Sequence, residues 1–460
     1  MAPSPRLAVA VRAALRLKTE IGEGQRFLRM VDVSTAQSSP AEQVTTAPRT
    51  WRGRLTYLGP GLVLAAASVG AGDMVSSLSG AADYGMALMW AILVGVGIKF
   101  AVTEAVGRLY MATGRTVIAS LGSVSRWLPF VFFVFVFVIG LLYGAALSSV
   151  AALAMSTLFP ALPLKPVAIV ITMVATGIVL LGRYTLFERV MIVFTLTKFV
   201  GMVVLAIIML ASMDDLPGFV ASMRPGLPEG SVLAVFSLIG GVGGTAGVAA
   251  YGYWVREKGW QHRSWLPVMR ADSASSYVIT FLFVFCTSIV GTGLLYGTGK
   301  TIKGNDGLAA LADPLAASVG PAASVLFLLT FFFVTLSALV GGFNAISYML
   351  ADSLRTLRAV PDEDAGRYVG QKCRPFRFFV LYCAVASVGV MFTGKPVALV
   401  LTYAAVGSLI LPILSAGLLF LLNRRDIDRE YRNKIASNVF LSSALVLFGT
   451  LAVIQVVEMF

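Results

Sequence analysis

Long apolar stretches separated by short polar segments dominate this chain of 460 residues. A helix needs about 20 mostly apolar residues to cross a bilayer, and lipid offers no partner to a bare backbone polar group. No alternating strand pattern occurs, so the sequence predicts an all-α integral membrane protein of about 11 transmembrane helices. The predicted spans are residues 57–80, 85–107, 128–158, 164–182, 187–212, 231–254, 275–297, 321–350, 377–393, 396–422 and 437–459.

Composition places the chain in the same class. Hydrophobic residues make up 57% of it and charged residues 13%, against roughly 25% charged in a soluble protein. Three cysteines and one histidine, His262, offer neither a disulfide framework nor a His-rich zinc site. The sequence has no His-Glu-x-x-His, no paired Asp-rich motif and no exposed nucleophile with a base. We therefore expect no cofactor and no enzymatic activity.

The net charge of +13 follows the sides of the membrane rather than forming a nucleic-acid-binding patch. With the N-terminus in the cytoplasm, 29 of the 36 Lys and Arg residues fall on the cytoplasmic side and 5 on the opposite side. Cytoplasmic loops of membrane proteins are enriched in these residues. We expect a multi-pass protein of the plasma membrane with a cytoplasmic N-terminus, an outer C-terminus and no nucleic-acid partner.

Residues 1–54 precede the first span and are predicted to be a disordered, basic cytoplasmic tail. They do not resemble a secretory signal, because Arg12 and Arg16 interrupt any apolar core. The sequence leaves open whether residues 1–29 belong to the mature protein, since Met30 is an alternative start.

Glycines interrupt two of the predicted spans. The first span contains Gly70 and Gly72 just before Asp73, and the sixth has five glycines between Gly240 and Gly247. Glycine weakens a helix, and interruptions at corresponding positions of two halves are typical of inverted-repeat transporters. Close helix packing through small residues is the alternative interpretation. The predicted limits are 57–212 and 231–422 for two five-helix repeats and 437–459 for an extra helix, within a membrane domain of residues 55–460.

Several short stretches resemble the natural resistance-associated macrophage protein (NRAMP) family of metal transporters. They are Gly59-Pro60-Gly61, residues 107–115 (GRLYMATGR) and residues 408–412 (SLILP). The resemblance extends through most of residues 57–422. It implies a five-plus-five inverted repeat of LeuT type, with broken helices one and six. It also implies a secondary transporter that moves a divalent metal cation by alternating access around the breaks, with a proton or sodium as coupling ion.

The positions that the resemblance would assign to metal binding differ here. The family's Asp-Pro-Gly-Asn motif falls on residues 70–73, Gly-Ala-Gly-Asp, so the carboxylate has moved three residues. The sixth span lacks the family's Met and Pro-His, and the helix-three acids fall on Gly144 and Leu147. A helix-ten Gln falls on Ala404. Without a thioether, selectivity for Mn²⁺ or Fe²⁺ is lost, whereas one carboxylate with neutral oxygens suits a harder, partly hydrated cation.

Three charged residues inside predicted spans are candidates for function. Asp73 is the strongest, as a metal ligand or a protonation switch, because a carboxylate at membrane depth costs at least about 2.5 kcal/mol. Glu104 is predicted to act in coupling or, at four-residue spacing, to pair with Arg108 rather than with Lys99. Lys198 could occupy a cation position or hold a substrate carboxylate. The neutral candidates for substrate binding are Ser68, Gly70, Gly72, Gly243, Gly244, Thr245, Asn344 and Tyr403.

A small organic solute such as an amino acid is the alternative substrate. In that case the amides of residues 70–72 would bind a carboxylate, assisted by Lys198. The loss of the Met and of the helix-three acids favours this alternative, whereas the family resemblance favours a metal cation.

Overall fold

The structure is a computed structural model that describes residues 46–48, 50–213, 215–298, 307, 311–392, 407 and 409–458. Within these ranges all regular secondary structure is helical, which confirms the predicted all-α class. Among the described residues, eight helical stretches are long and apolar enough to cross a membrane, and one of them, Val232–Glu257, is interrupted within the span. A ninth span consists of two helices bent by 61°, α1 (Pro60–Ser68) and α2 (Ala71–Tyr84).

The other helices that form the spans follow the predicted order along the chain. They are α3 (Met89–Thr113), α4 (Trp127–Leu158), α5 (Leu164–Leu180), α6 (Tyr184–Ala211), α7 (Val232–Gly241), α8 (Ala246–Glu257), α9 (Leu266–Leu295), α10 (Pro321–Leu357), α11 (Arg374–Met391), α12 (Ile410–Leu421) and α13 (Ile435–Glu458). Helices α5 and α12 are apolar but shorter than a full span, and part of the tenth predicted span lies outside the described residues. The total of eleven spans therefore stays a prediction.

Short helical segments connect the spans. They are Trp51–Leu55, Val117–Gly122, Leu216–Ser222, Ala312–Val319 and the 3₁₀ turns Arg263–Trp265 and Asp362–Arg367. Local sequence sets many of the boundaries. Proline, which lacks an amide hydrogen, occupies the first turn of α1, α9, α10 and α11. Gly114 ends α3 in the left-handed conformation, at φ +67°.

Helix α10 forms the centre of the described bundle. It packs along α4 and α6, and every residue from Val334 to Ser353 is buried. Its glycines allow close approach, since a Cβ added at Gly341 would lie 2.3 Å from the Cβ of Ala67 in α1. On the outside of the bundle many large apolar side chains are exposed, as expected for a surface that faces lipid. The centre of the bundle is thus where α1, α4 and α10 meet.

Candidate functional site

The first break lies between α1 and α2. Helix α1 ends at Ser68 because Val69 adopts an extended conformation, and α2 starts in a new direction after Gly70. Asp73, in the first turn of α2, accepts a hydrogen bond from the Gly70 amide at 2.8 Å through Oδ2. Residues three apart lie on the same side of a helix, one turn from each other. A carboxylate displaced by three residues in the sequence therefore still reaches the break.

The second break, residues 242–245, separates α7 from α8. Gly243 and Gly244 have φ values of +82° and +56°, in the left-handed region that favours glycine. The Gly243 amide donates a hydrogen bond of 2.7 Å to Oδ1 of Asp73. A Cβ added at Gly244 would lie 3.0 Å from the Cα and from the carbonyl oxygen of Ser68. The two breaks are therefore in contact. Asp73 joins them, because one of its carboxylate oxygens bonds to the first break and the other to the second.

A cavity of about 440 Å³ reaches both breaks. Two of the described residues that line it are charged, and both are acidic. Asp73 is 3% exposed at the inner end, whereas Asp83 is exposed at the far end of α2. Ser76 and Ser79 lie between them and also line the cavity, so an acidic and hydroxyl-bearing side of α2 runs along it.

Further oxygen atoms line the same cavity as Asp73. Ser68 and Thr245, one from each broken helix, line the cavity. The Ser68 hydroxyl is buried and has no hydrogen-bond partner among the described residues. A buried hydroxyl without a partner costs free energy, so Ser68 has a hydrogen bond or a coordination bond to gain from a ligand. Gly70, Gly72 and Gly244 complete the predicted residues that line the cavity.

Lys198 of α6 is buried and is not among the residues that line the cavity. Its ammonium group lies at the end of α1, where the Ala65 carbonyl oxygen also accepts a hydrogen bond from the Val69 amide at 3.3 Å. It donates hydrogen bonds to the carbonyl oxygens of Ala65, Ala66 and Val69 at 3.2, 2.9 and 2.9 Å, and to the hydroxyl of Ser337 at 3.0 Å. Of the two roles predicted for Lys198, the occupied cation position agrees with these contacts.

Lys99 of α3 makes the corresponding contacts at the second break. Its ammonium group donates to the carbonyl oxygens of Gly240 and Gly244 at 2.9 and 3.2 Å. It also lies 5.8 Å from the centre of the Phe448 ring, an attractive distance for a cation. The sequence signals Lys99 only as a charge within an apolar span, and its partners are backbone atoms.

Glu104 is held in ion pairs and does not line the cavity. Its carboxylate is 3.0 Å from Arg108 Nε, which confirms the pair predicted from four-residue spacing, and 2.8 Å from Arg270 Nε. Arg108 continues the network to the loop before the last span, where it donates to the carbonyl oxygen of Tyr431 at 2.7 Å, and to the Ser437 hydroxyl of α13 at 2.8 Å. The coupling role of Glu104 stays a prediction.

The remaining predicted residues fall elsewhere. Asn344 is buried in α10 and accepts a hydrogen bond from the indole of Trp254 at 2.9 Å, away from the residues that line the cavity. Tyr403 lies outside the described residues, as does Ala404. Leu147, where the family's helix three carries an acid, forms part of the apolar wall. Within the described chain no group of three or more His, Cys, Asp or Glu residues could hold a metal ion.

Asp272 of α9 holds the start of α1. It accepts hydrogen bonds from the amides of Gly59 and Gly61 at 2.8 and 2.6 Å, and from the Tyr251 hydroxyl at 2.8 Å. No described residue of α1 before Ala67 lines the cavity. The cavity therefore opens towards the Asp83 end of α2, and the Asp272 end of the site is closed.

Comparison with known proteins agrees with this architecture. A model of the family described as natural resistance-associated macrophage protein-like matches residues 61–458. A mutant of the Eremococcus coleocola manganese transporter superposes with a TM-score of 0.75 at 14% identity, over 91% of this chain and 90% of that one. MHP1, a nucleobase-cation-symport-1 family transporter, superposes with a TM-score of 0.57 at 15% identity, over 92% of this chain and 95% of that one. These structures share the LeuT-type fold.

A relative of unassigned function shows how far sequence similarity extends. An uncharacterized protein of Pasteurella multocida is 28% identical in an alignment 166 residues long, which covers 34% of this chain. The match spans 37% of the length of that relative.

Proposed function

The chain belongs to the natural resistance-associated macrophage protein-like family, and on this premise we propose that it is a secondary transporter of a divalent metal cation. The observation that carries the proposal is the sign of the charge along the cavity. Both charged residues among the described lining residues, Asp73 and Asp83, are carboxylates, and the inner one lies where the two broken helices meet. The manganese transporter of Eremococcus coleocola has the same fold.

The lining favours a hard cation that keeps part of its water shell. Asp73, Ser68 and Thr245 offer oxygen atoms, and none of the described lining residues is Met, His or Cys. Mg²⁺ binds one or two carboxylates and retains several waters, whereas softer ions gain from sulfur or imidazole ligands. A cavity of about 440 Å³ has room for those waters. We therefore infer that Mg²⁺ is transported in preference to Mn²⁺.

The path of the ion follows α2. Asp83 attracts the cation at the exposed end, Ser76 and Ser79 replace part of its water, and Asp73 binds it at the breaks. With the N-terminus in the cytoplasm, as the Lys and Arg distribution predicts, this end of α2 faces the outside of the cell. The described conformation is then open to the outside, and release to the cytoplasm requires the contacts of Asp272 with the start of α1 to open.

A solute with its own carboxylate is a second candidate, and one observation favours it. Two lysines, Lys99 and Lys198, lie within electrostatic range of the single carboxylate Asp73. However, the Gly70 amide that would bind the solute carboxylate is already bonded to Asp73, and neither lysine lines the cavity. The lining thus supports the metal cation better.

Uptake into proteoliposomes tests the proposal. Purified protein is reconstituted and uptake of Mg²⁺, Mn²⁺ and Ca²⁺ is compared for the wild type, Asp73→Asn and the matched control Asp313→Asn, which removes an exposed carboxylate outside the cavity. We expect Mg²⁺ uptake that Asp73→Asn lowers about tenfold or more, the equivalent of about 1.4 kcal/mol, and that the control leaves unchanged. Absence of uptake of all three ions by folded wild-type protein would contradict the proposal.

A further inference from the structure

Both broken helices end inside the membrane, where carbonyl oxygens at a helix C-terminus have no amide partner and carry a partial negative charge. In transporters with discontinuous helices, such helix ends and unwound carbonyls coordinate the sodium ion that drives transport. Here an ammonium group bonds to the carbonyl oxygens at each end, Lys198 at α1 and Lys99 at α7.

The surroundings of the Lys198 ammonium resemble the coordination shell of a monovalent cation. The carbonyl oxygens of Ala65 and Ala66 in α1 and of Val69 just after it, with the hydroxyl of Ser337 from α10, lie at 2.9–3.2 Å from Nζ. The Ser337 hydroxyl in turn donates to the carbonyl oxygen of Ala66 at 2.9 Å. Lys198 is 1% exposed, so its ammonium group depends on these four oxygen atoms rather than on bulk water. A free ion would need the same oxygens, so it and the ammonium group exclude each other.

We propose that Lys198, together with Lys99, is a tethered cation that takes the place of a coupling sodium ion, so that the transporter works without Na⁺. Neither lysine lines the cavity, so neither is a ligand of the transported solute. Both lie within electrostatic range of the Asp73 carboxylate. The inference rests on the transport function proposed above, but on neither the identity nor the charge of the solute.

Replacement of sodium tests the tethered cation in transport. Uptake by the wild type should be the same when Na⁺ in the medium is replaced by N-methyl-D-glucamine. Lys198→Ala removes the ammonium group and leaves its oxygens free, so uptake without Na⁺ should fall about tenfold or more and should recover saturably as Na⁺ is added. Lys198→Met fills a similar volume without charge and should stay low in both media. Lys372→Ala, at an exposed lysine, is the matched control.

Sodium binding separates this inference from the identity of the solute. Binding of radioactive sodium to purified protein in detergent requires no transported ion, so it can be read even if no divalent metal is carried. We expect saturable binding to Lys198→Ala, and to Lys99→Ala if the first variant does not fold, but none to the wild type or to Lys198→Met. Saturable sodium binding to the wild type, or full uptake by Lys198→Ala without sodium, would overturn the inference.

Discussion

Replacing Asp272 with alanine should loosen the start of α1 and weaken the closed end of the site. Asp272 is fully buried and accepts hydrogen bonds from two amides in the first turn of α1 and from the Tyr251 hydroxyl, at 2.6–2.8 Å. The carboxylate acts as the N-terminal cap of α1, although it belongs to α9. Alanine would leave the amides of Gly59 and Gly61 without their acceptor, whereas the Tyr251 hydroxyl could still donate to the carbonyl oxygen of Met269, 3.1 Å away.

These lost hydrogen bonds determine how far the substitution lowers the free energy of unfolding. Loss of an N-cap acceptor costs about 0.5–2 kcal/mol, and a buried donor left without a partner costs about 1–3 kcal/mol. The two amides at the helix start are buried and lose their only side-chain acceptor, whereas the Tyr251 hydroxyl keeps the Met269 carbonyl oxygen as an alternative. We therefore expect Asp272→Ala to lower the free energy of unfolding by about 3 kcal/mol. At about 2 °C per kcal/mol, the lower end of the range for domains of 150–250 residues, the unfolding midpoint falls by about 6 °C.

Thermal unfolding of the detergent-purified protein, followed by tryptophan fluorescence, measures the effect. Three buried tryptophans, Trp254, Trp260 and Trp265, lie on or beside α8 and α9 and report on this region. Asp272→Asn keeps the shape but offers one acceptor oxygen, so its midpoint should fall between those of the wild type and Asp272→Ala. Asp313→Ala is the control. A midpoint of Asp272→Ala no lower than that of the control would refute the reasoning.

Two further substitutions test the second break and a polar loop. Gly244→Ala should lower both stability and uptake, by roughly 1–2 kcal/mol in unfolding free energy, because it forces a side chain into left-handed backbone; equal midpoints in thermal unfolding would contradict this. In the loop after α10, partial burial acts to raise the pKa of Asp362, but Arg355 and Arg115 outweigh it and hold that pKa below its ordinary value. A depressed pKa stabilises the folded state above the unfolded pKa of about 4, and the effect disappears as the pH falls through the folded value. Asp362→Asn should therefore lower the free energy of unfolding by less than about 1 kcal/mol at pH 7, and the difference from the wild type should shrink as the pH falls below about 4.

The spans were predictable because membrane thickness fixes the length of an apolar helix. The prediction of 128–158 differs by one residue from α4, Trp127–Leu158. The sequence set the start of the seventh span at 275, whereas α9 begins at Leu266, since Asp272 and Arg270 made the preceding residues look like a loop. Their charges are satisfied by α1 and by Glu104, contacts that no local pattern reveals.

The site was predictable where the sequence breaks a rule of membrane helices. Glycines and a carboxylate at membrane depth pointed to Asp73 and to both breaks. The partners of Lys99 and Lys198 had no such signal, because they are backbone carbonyl oxygens, which every residue possesses. Asn344 is a polar residue in an apolar helix, which is also what a ligand-binding residue looks like in the sequence. In the structure its side-chain oxygen accepts a hydrogen bond from the indole of Trp254.

The position of Asp73 also bears on how tightly a solute can be held. Both oxygens already accept amide hydrogen bonds, from Gly70 and Gly243, and hydrogen bonds to charged groups contribute about 1.5–3 kcal/mol each. An ion that shares these oxygens weakens both bonds, and every 1.4 kcal/mol so offset lowers affinity about tenfold. The amides of Gly70 and Gly243 thus compete with the transported ion for the carboxylate oxygens of Asp73. We expect such a carrier to have a high dissociation constant and a short residence time, as suits an abundant ion.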